Sequence, residues 1–166
     1  MAIVVRPCSD TELHRACAIE SLAYADNPLN PILFPGPFPS DSQQKRVDQL
    51  VQMRKNDSTA VFLQAIDTDS GRMIASAKWH VYSTPEETQI PIRNLEFGPG
   101  TNPEACRAFF GGMTERKEVI MGRRPHVCMD ISSLQRLSNQ RPLTANQIFT
   151  CCTRTQSIRG VVLGVR

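Results

Sequence analysis

Several things are scarce in this 166-residue chain, and each scarcity excludes something. No apolar run approaches the twenty or so residues that cross a bilayer, so nothing reads as a membrane span. No charged segment followed by a long apolar stretch opens "MAIVVRPCSD", so no signal peptide is expected. None of the six cysteines stands in a C-x-x-C pair, which argues against a zinc site or redox motif and leaves no metal expected. Acidic residues and lysine are missing from residues 131–166, which hold five arginines, whereas residues 1–130 carry 14 basic against 16 acidic groups. The arginine-only end has Phe149 as its one aromatic, so the interleaved rings of a single-strand nucleic-acid binder are lacking and a nucleic-acid partner is not expected. A solvated appendage is what its composition suggests. Glycine is absent from Arg124–Gln147, and tyrosine from everything after Tyr82.

What is present is enough for a core, with 40% apolar residues. "AIVVRP" reads as a first strand. Ser9 and Glu12 have capping-box spacing, and Leu13, Cys17, Ile19, Leu22 and Ala23 follow as the apolar stripe of a helix. "DNPLNPILFPGPFPS", with five prolines, is a loop, but Leu29, Ile32, Leu33, Phe34 and Phe38 require it to pack on the domain, as a cover or as the mouth of a pocket. Ser40 and Gln43 suggest a second capping box, opening a helix that runs to about Asn56.

"TAVFLQAIDT" and "RMIASAKWHVY" around "DSG" predict a β-hairpin. Met73, Ala75, Ala77, Trp79 and Val81 fall on its core face, and Ser76, Lys78 and His80 on a polar face. Asn102 and Pro103 have the chemistry of a helix start, leading to a stripe of Cys106, Phe109, Phe110, Met113 and Ile120 interrupted by Gly111–Gly112. "HVCMDIS" alternates again, with Val127, Met129 and Ile131 on one side. The order is β-α-α-β-β-α-β. Buried positions are expected to include Phe62, Trp79, Val81, Val127, Met129 and Ile131.

Three stretches, "VVRPCSDTELHRACAIESLAYADNPLNPILFPG", "FLQAIDTDSGRMIASAKWHVY" and "MGRRPHVCMDI", in this order resemble the GCN5-related N-acetyltransferase family, particularly its fungal members. The hairpin carries the pattern D-x-x-x-G-x-x-x-x-x-A-x-W from Asp67 to Trp79. The resemblance covers residues 1–132. It implies an α/β fold of the α+β type, a mostly antiparallel sheet flanked by helices, and acetyl-CoA as co-substrate for transfer to a small-molecule or peptide amine. It implies a β-bulge at the end of the strand matching His126–Ile131, where backbone groups near Asp130, Ile131 and Ser132 meet the pantetheine arm. A glycine-rich R/Q-x-x-G-x-G/A loop then cradles the diphosphate at a helix N-terminus.

Here the chain departs from the family. "QRLSNQR" occupies residues 135–141, so Arg136 and Arg141 are left to attract the diphosphate from outside, and no residue stands where a general acid is expected. The expected division is a domain over residues 1–133, its C-terminal half incomplete, and a basic, poorly ordered tail over 134–166. An altered reading frame, a splicing difference or, more mildly, a truncated domain with a diverged tail would account for the composition break at the same place. His80 and Glu96 are candidate acceptor-site bases, though an exposed histidine and an ordinary surface carboxylate satisfy the same pattern. Asp130 either lines a cleft or is solvated. Two functions remain in view: an amine acetyltransferase with impaired activity, and an inactive remnant serving as a binding module. Reduced thiols point to an intracellular, cytoplasmic protein.

Overall fold

The structure is a computed structural model, and it describes residues 2–88 and 97–134, with the side chains of Asp130, Ile131, Ser132 and Leu134 outside the description. Strand β1 (Ile3–Pro7) is followed by a tight turn over Asp10–Glu12 and helix α1 (Leu13–Ala23). The short helix α2 (Asn30–Leu33) sits in the proline-rich loop, and α3 (Ser42–Asn56) leads to the hairpin of β2 (Ala60–Asp67) and β3 (Arg72–Tyr82). Helix α4 (Pro103–Cys106) passes through a wide π-type turn (Arg107–Gly111) into α5 (Gly112–Met121), and β4 (His126–Leu134) ends the described chain. The four strands form one antiparallel sheet in the order β1-β2-β3-β4. The α/β class and the element order are those expected.

Local chemistry explains the element starts. Glu12 reaches back to the Ser9 N–H at 2.8 Å and accepts the Ser9 hydroxyl at 2.7 Å. It also accepts from Gln64 Nε2 on β2 and Arg6 Nη2 on β1, each at 2.6 Å, so one carboxylate ties the helix entry to two strands. Asn102 accepts the Ala105 N–H at 3.2 Å with Pro103 in the first turn, as its sequence predicted. The expected cap at Ser40 is not used. Helix α3 begins later, at Ser42 behind Asp41, and Asp41 pairs instead with Lys45 at 2.9 Å. In the hairpin turn Asp67 accepts from the Ser70 hydroxyl at 2.6 Å and the Asp69 N–H at 3.2 Å, and Gly71 takes a φ of 67°.

Both faces of the sheet carry buried residues. On one, Phe62 and Met73 pack with Cys8, Leu13, Ala16, Cys17 and Ile19 and with Val47 and Leu50 of α3. On the other, Val5, Leu63, Ala65, Ala75, Ala77 and Trp79 form a second cluster, joined by Val61 and Val127 at its edge. β3 is therefore buried along almost its whole length. The polar face expected for Lys78 and His80 is corrected: both are buried, because α1 and α3 lie over that side of the hairpin.

Two apolar stripes also differ from expectation. Leu22 is 61% exposed, since α1 buries Leu13, Ala16, Cys17 and Ile19 instead. Beyond Cys106, which is fully buried, Phe109, Met113 and Ile120 are exposed. The π-type turn adds a residue to one helical turn and rotates everything after it, so a stripe counted on a 3.6-residue period breaks there. The proline-rich loop does pack on the domain, through Leu33, which is buried, while Leu29, Ile32 and Phe38 stay exposed. The loop is stitched to the segment before α4: Gly36 N–H donates to Gly100 O at 2.9 Å and Asn102 N–H to Leu33 O at 2.9 Å.

Candidate functional site

The site is built where β3 and β4 run side by side. His126, Val127, Cys128 and Met129 pair with Tyr82, Val81, His80 and Trp79, and the pairing then resumes with Ile131 opposite Lys78. Asp130 is thus the additional residue of a β-bulge in β4. The bulge shifts the register expected of an unbroken strand: Met129 pairs with Trp79, and Ile131, whose side chain lies outside the described residues, pairs with the next residue, Lys78. Met129 itself, expected in the core, is 45% exposed, and Val127 is only half-buried against the Trp79 cluster. Among the described strands β4 has a neighbour on one side only.

On β3, alongside β4, lies a row of polar and aromatic side chains. His80, opposite Cys128, is 5% exposed. Its Nδ1 lies 3.1 Å from Thr59 Oγ1 and 3.4 Å from Asp57 Oδ2. Asp57 is held as the residue closing α3, its N–H donating to Met53 O at 2.8 Å, and its Oδ1 accepts the Thr59 N–H at 2.9 Å and hydroxyl at 2.6 Å. Thr59 is fixed to β3 in turn by Val81 N–H, which donates to Thr59 O at 2.9 Å. The His80 ring stacks on Tyr82 with centroids 5.8 Å apart and planes at 11°. Tyr82 meets its cross-strand partner His126 at 4.7 Å. Lys117 of α5 closes the row, donating to Tyr82 Oη at 3.0 Å with its Nζ 4.2 Å from the ring centre. The Nδ1 of His126 contacts Arg124 O at 2.7 Å, and since a carbonyl only accepts, that nitrogen carries the proton. Its Nε2 is buried with no hydrogen-bond partner among the described residues.

Of the residues singled out from sequence, the structure brings His80 and the backbone of Asp130–Ser132 to neighbouring positions on paired strands. Glu96, Arg136 and Arg141 lie outside the described residues. Sequence reasoning missed Asp57 and Thr59 as His80's partners, and Tyr82, Lys117 and His126 as its neighbours. The signal available was weak: "DST" between a helix and a strand is ordinary turn chemistry. Among the described residues no group of three or more His, Cys, Asp or Glu is arranged to hold a metal, and no helix is long and apolar enough to cross a membrane.

No family model matches the chain, and no curated protein sequence matches it. Two solved structures share its fold. A structure described as histone acetyltransferase HPA2 and related acetyltransferase, from Corynebacterium glutamicum, aligns with 93% of this chain and 71% of its own, at 15% identity and a TM-score of 0.52. The C-terminal condensation domain of Ebony, in complex with beta-alanyl-dopamine, aligns with 92% of this chain and 65% of its own, at 12% identity and a TM-score of 0.53. The likeness is one of fold: an antiparallel sheet flanked by helices, of the GCN5-related acetyltransferase type that the resemblance in residues 1–132 implied.

Proposed function

We propose that this chain is an acyltransferase domain that takes acetyl-CoA as co-substrate and an amine, of a small molecule or a peptide, as acceptor. The observation that carries the reading is the bulge at Asp130 in a strand that has a neighbour on one side only among the described strands, two residues along from the position opposite His80. Two residues of strand are about 7 Å, which puts the proposed thioester and the imidazole in the same part of the sheet. Bound there, the co-substrate supplies an electrophilic carbonyl. The backbone of Asp130, Ile131 and Ser132 would hold the arm that carries it, and His80 would take the proton that the attacking amine loses as its nitrogen bonds to the acyl carbon and the thiolate leaves. Glu96 is the second carboxyl-bearing candidate for the acceptor side.

The fit is good for the arm and poor for the diphosphate. "QRLSNQR" has no glycine through which several backbone N–H groups would approach an anion, leaving the side chains of Arg136 and Arg141, whose charges would be worth about 1 kcal/mol or less each if solvated. Activity is therefore proposed to be impaired. The same loop supports the second reading, a binding module that keeps the fold without turnover, with residues 1–133 as the domain and 134–166 as an appended basic tail. An intracellular, cytoplasmic setting goes with either, since Cys8, Cys17 and Cys106 are buried as free thiols.

Titration calorimetry with acetyl-CoA, paired with an acetyl-transfer assay on a panel of amines, tests the proposal. Weak binding and slow transfer, reduced a further tenfold or more by His80→Gln, are expected. A low-micromolar dissociation constant abolished by Arg136→Ala with Arg141→Ala would replace the impaired reading with a working, unconventional transferase. No detectable binding would leave the binding-module reading.

A further inference from the structure

We infer that Asp57 and Thr59 lock His80 into the tautomer that carries its proton on Nδ1, which makes them positioning residues for a basic Nε2. The use of that nitrogen rests on the proposed transfer, whereas the lock is argued from the contacts of Nδ1 itself. The Thr59 hydroxyl has a single proton. It lies 2.6 Å from Asp57 Oδ1, and a carboxylate only accepts, so the proton is committed there. What Thr59 Oγ1 has left are lone pairs, and its 3.1 Å contact with His80 Nδ1 then requires the proton to sit on the nitrogen. Asp57 Oδ2, 3.4 Å from the same nitrogen, makes the same demand. A neutral imidazole has one N–H, so Nε2 holds the lone pair.

The surroundings keep this arrangement in place. Thr59 and His80 are 4% and 5% exposed, so water competes poorly for either. A flip of the ring would set a carbon against two oxygens, and the stack on Tyr82 opposes any other rotation. The three residues come from the end of α3, the approach to β2 and the last part of β3, each anchored by backbone hydrogen bonds, so the lock is a property of the folded sheet and not of one flexible loop.

The tautomer is directly visible in long-range ¹H–¹⁵N correlation spectra of the full-length protein labelled at histidine. His14, which is exposed, gives the reference pattern of an unconstrained ring. The expected result is an Nδ1–H pattern for His80 in the wild type, kept in Thr59→Ser and shifted toward the mixed pattern of His14 in Thr59→Val and Asp57→Asn. A neutral His80 carrying its proton on Nε2 in the wild type overturns the inference, and that spectrum needs no variant to fold. Since neither acetyl-CoA nor amine is present in the measurement, its outcome is separate from the assay of His80→Gln. Full transfer activity in that variant would remove His80 as base and leave the lock standing.

Discussion

Gly100 and Phe38 are packed so tightly that no side chain fits between them: a Cβ on Gly100 would stand 2.7 Å from Phe38 Cδ1 and 2.9 Å from Pro37 O. Gly100 also holds a φ of 86°, a region that L side chains rarely adopt. The contact joins the proline-rich loop to the segment leading into α4. Gly100→Ala is therefore expected to destabilise the fold by about 2–4 kcal/mol, combining backbone strain with a clash against main chain. Gly71, with a φ of 67° but open space around its position, is the control, and Gly71→Ala should cost only about 1 kcal/mol. Urea denaturation of the two variants measures the difference; equal losses would show that the Phe38 contact contributes nothing.

Glu12 makes a second prediction, in pH. The Ser9 hydroxyl and N–H, with Gln64 and Arg6 behind them, stabilise its carboxylate and lower its pKa from 4.5 to about 2. A carboxyl whose folded pKa is depressed stabilises the fold fully above its unfolded value and loses that contribution as pH falls through the folded one. The stability profile of the wild type should thus decline between about pH 4.5 and 2, and Glu12→Gln should flatten this part of the curve while costing about 1 kcal/mol at neutral pH. An unchanged acid limb in the variant would assign acid sensitivity to other groups.

Much of this was legible from the residues, and the gaps have physical causes. The Ser9–Glu12 and Asn102–Pro103 starts were readable because capping uses local hydrogen bonds between residues close in sequence. The hairpin was readable because a period-two pattern flanks a glycine turn. What failed is what depends on neighbours far along the chain. The alternation of Lys78 and His80 with apolar residues looks the same whether the second face meets water or a pair of helices, and only the packing of α1 and α3 decides it. Nothing in "HVCMDIS" marks Asp130 as the extra residue of a bulge, so Met129 was counted inward. The Asp57–Thr59–His80 contact joins positions more than twenty residues apart and leaves no periodic trace.

The thiols should react unequally. Burial raises the Cys8 pKa to about 11, with Glu12 adding to the effect, and burial likewise raises those of Cys17 and Cys106. At pH 8 these three are protonated and enclosed, while Cys128 on β4 is half-exposed. Among these four, iodoacetamide followed by peptide mass mapping should find Cys128 modified first. Faster labelling of Cys8 would show that the first strand and α1 open more readily than their packing implies.

Limited trypsin digestion addresses the domain boundary. The five arginines of residues 131–166 come without a single acid to pair with them, and the residues between show no sustained apolar period. Cleavage there is expected before any cut at Arg72 or Lys78 within the hairpin. Equal resistance of the two regions would mean that the tail completes the core.

The bulge at Asp130 has a bearing on solubility as well as on chemistry. Among the described strands β4 has a neighbour on one side only, and a straight nine-residue strand with such an edge is a template on which a second copy of the same strand can be laid, with repeated addition leading to fibrils. One surplus residue breaks the evenly spaced ladder and sharpens the local twist, so a neighbouring strand cannot follow the edge along its whole length. The irregularity proposed to open the strand to a ligand would thus also guard the protein against itself, and shortening β4 by that residue would trade the proposed binding surface for a sticky one.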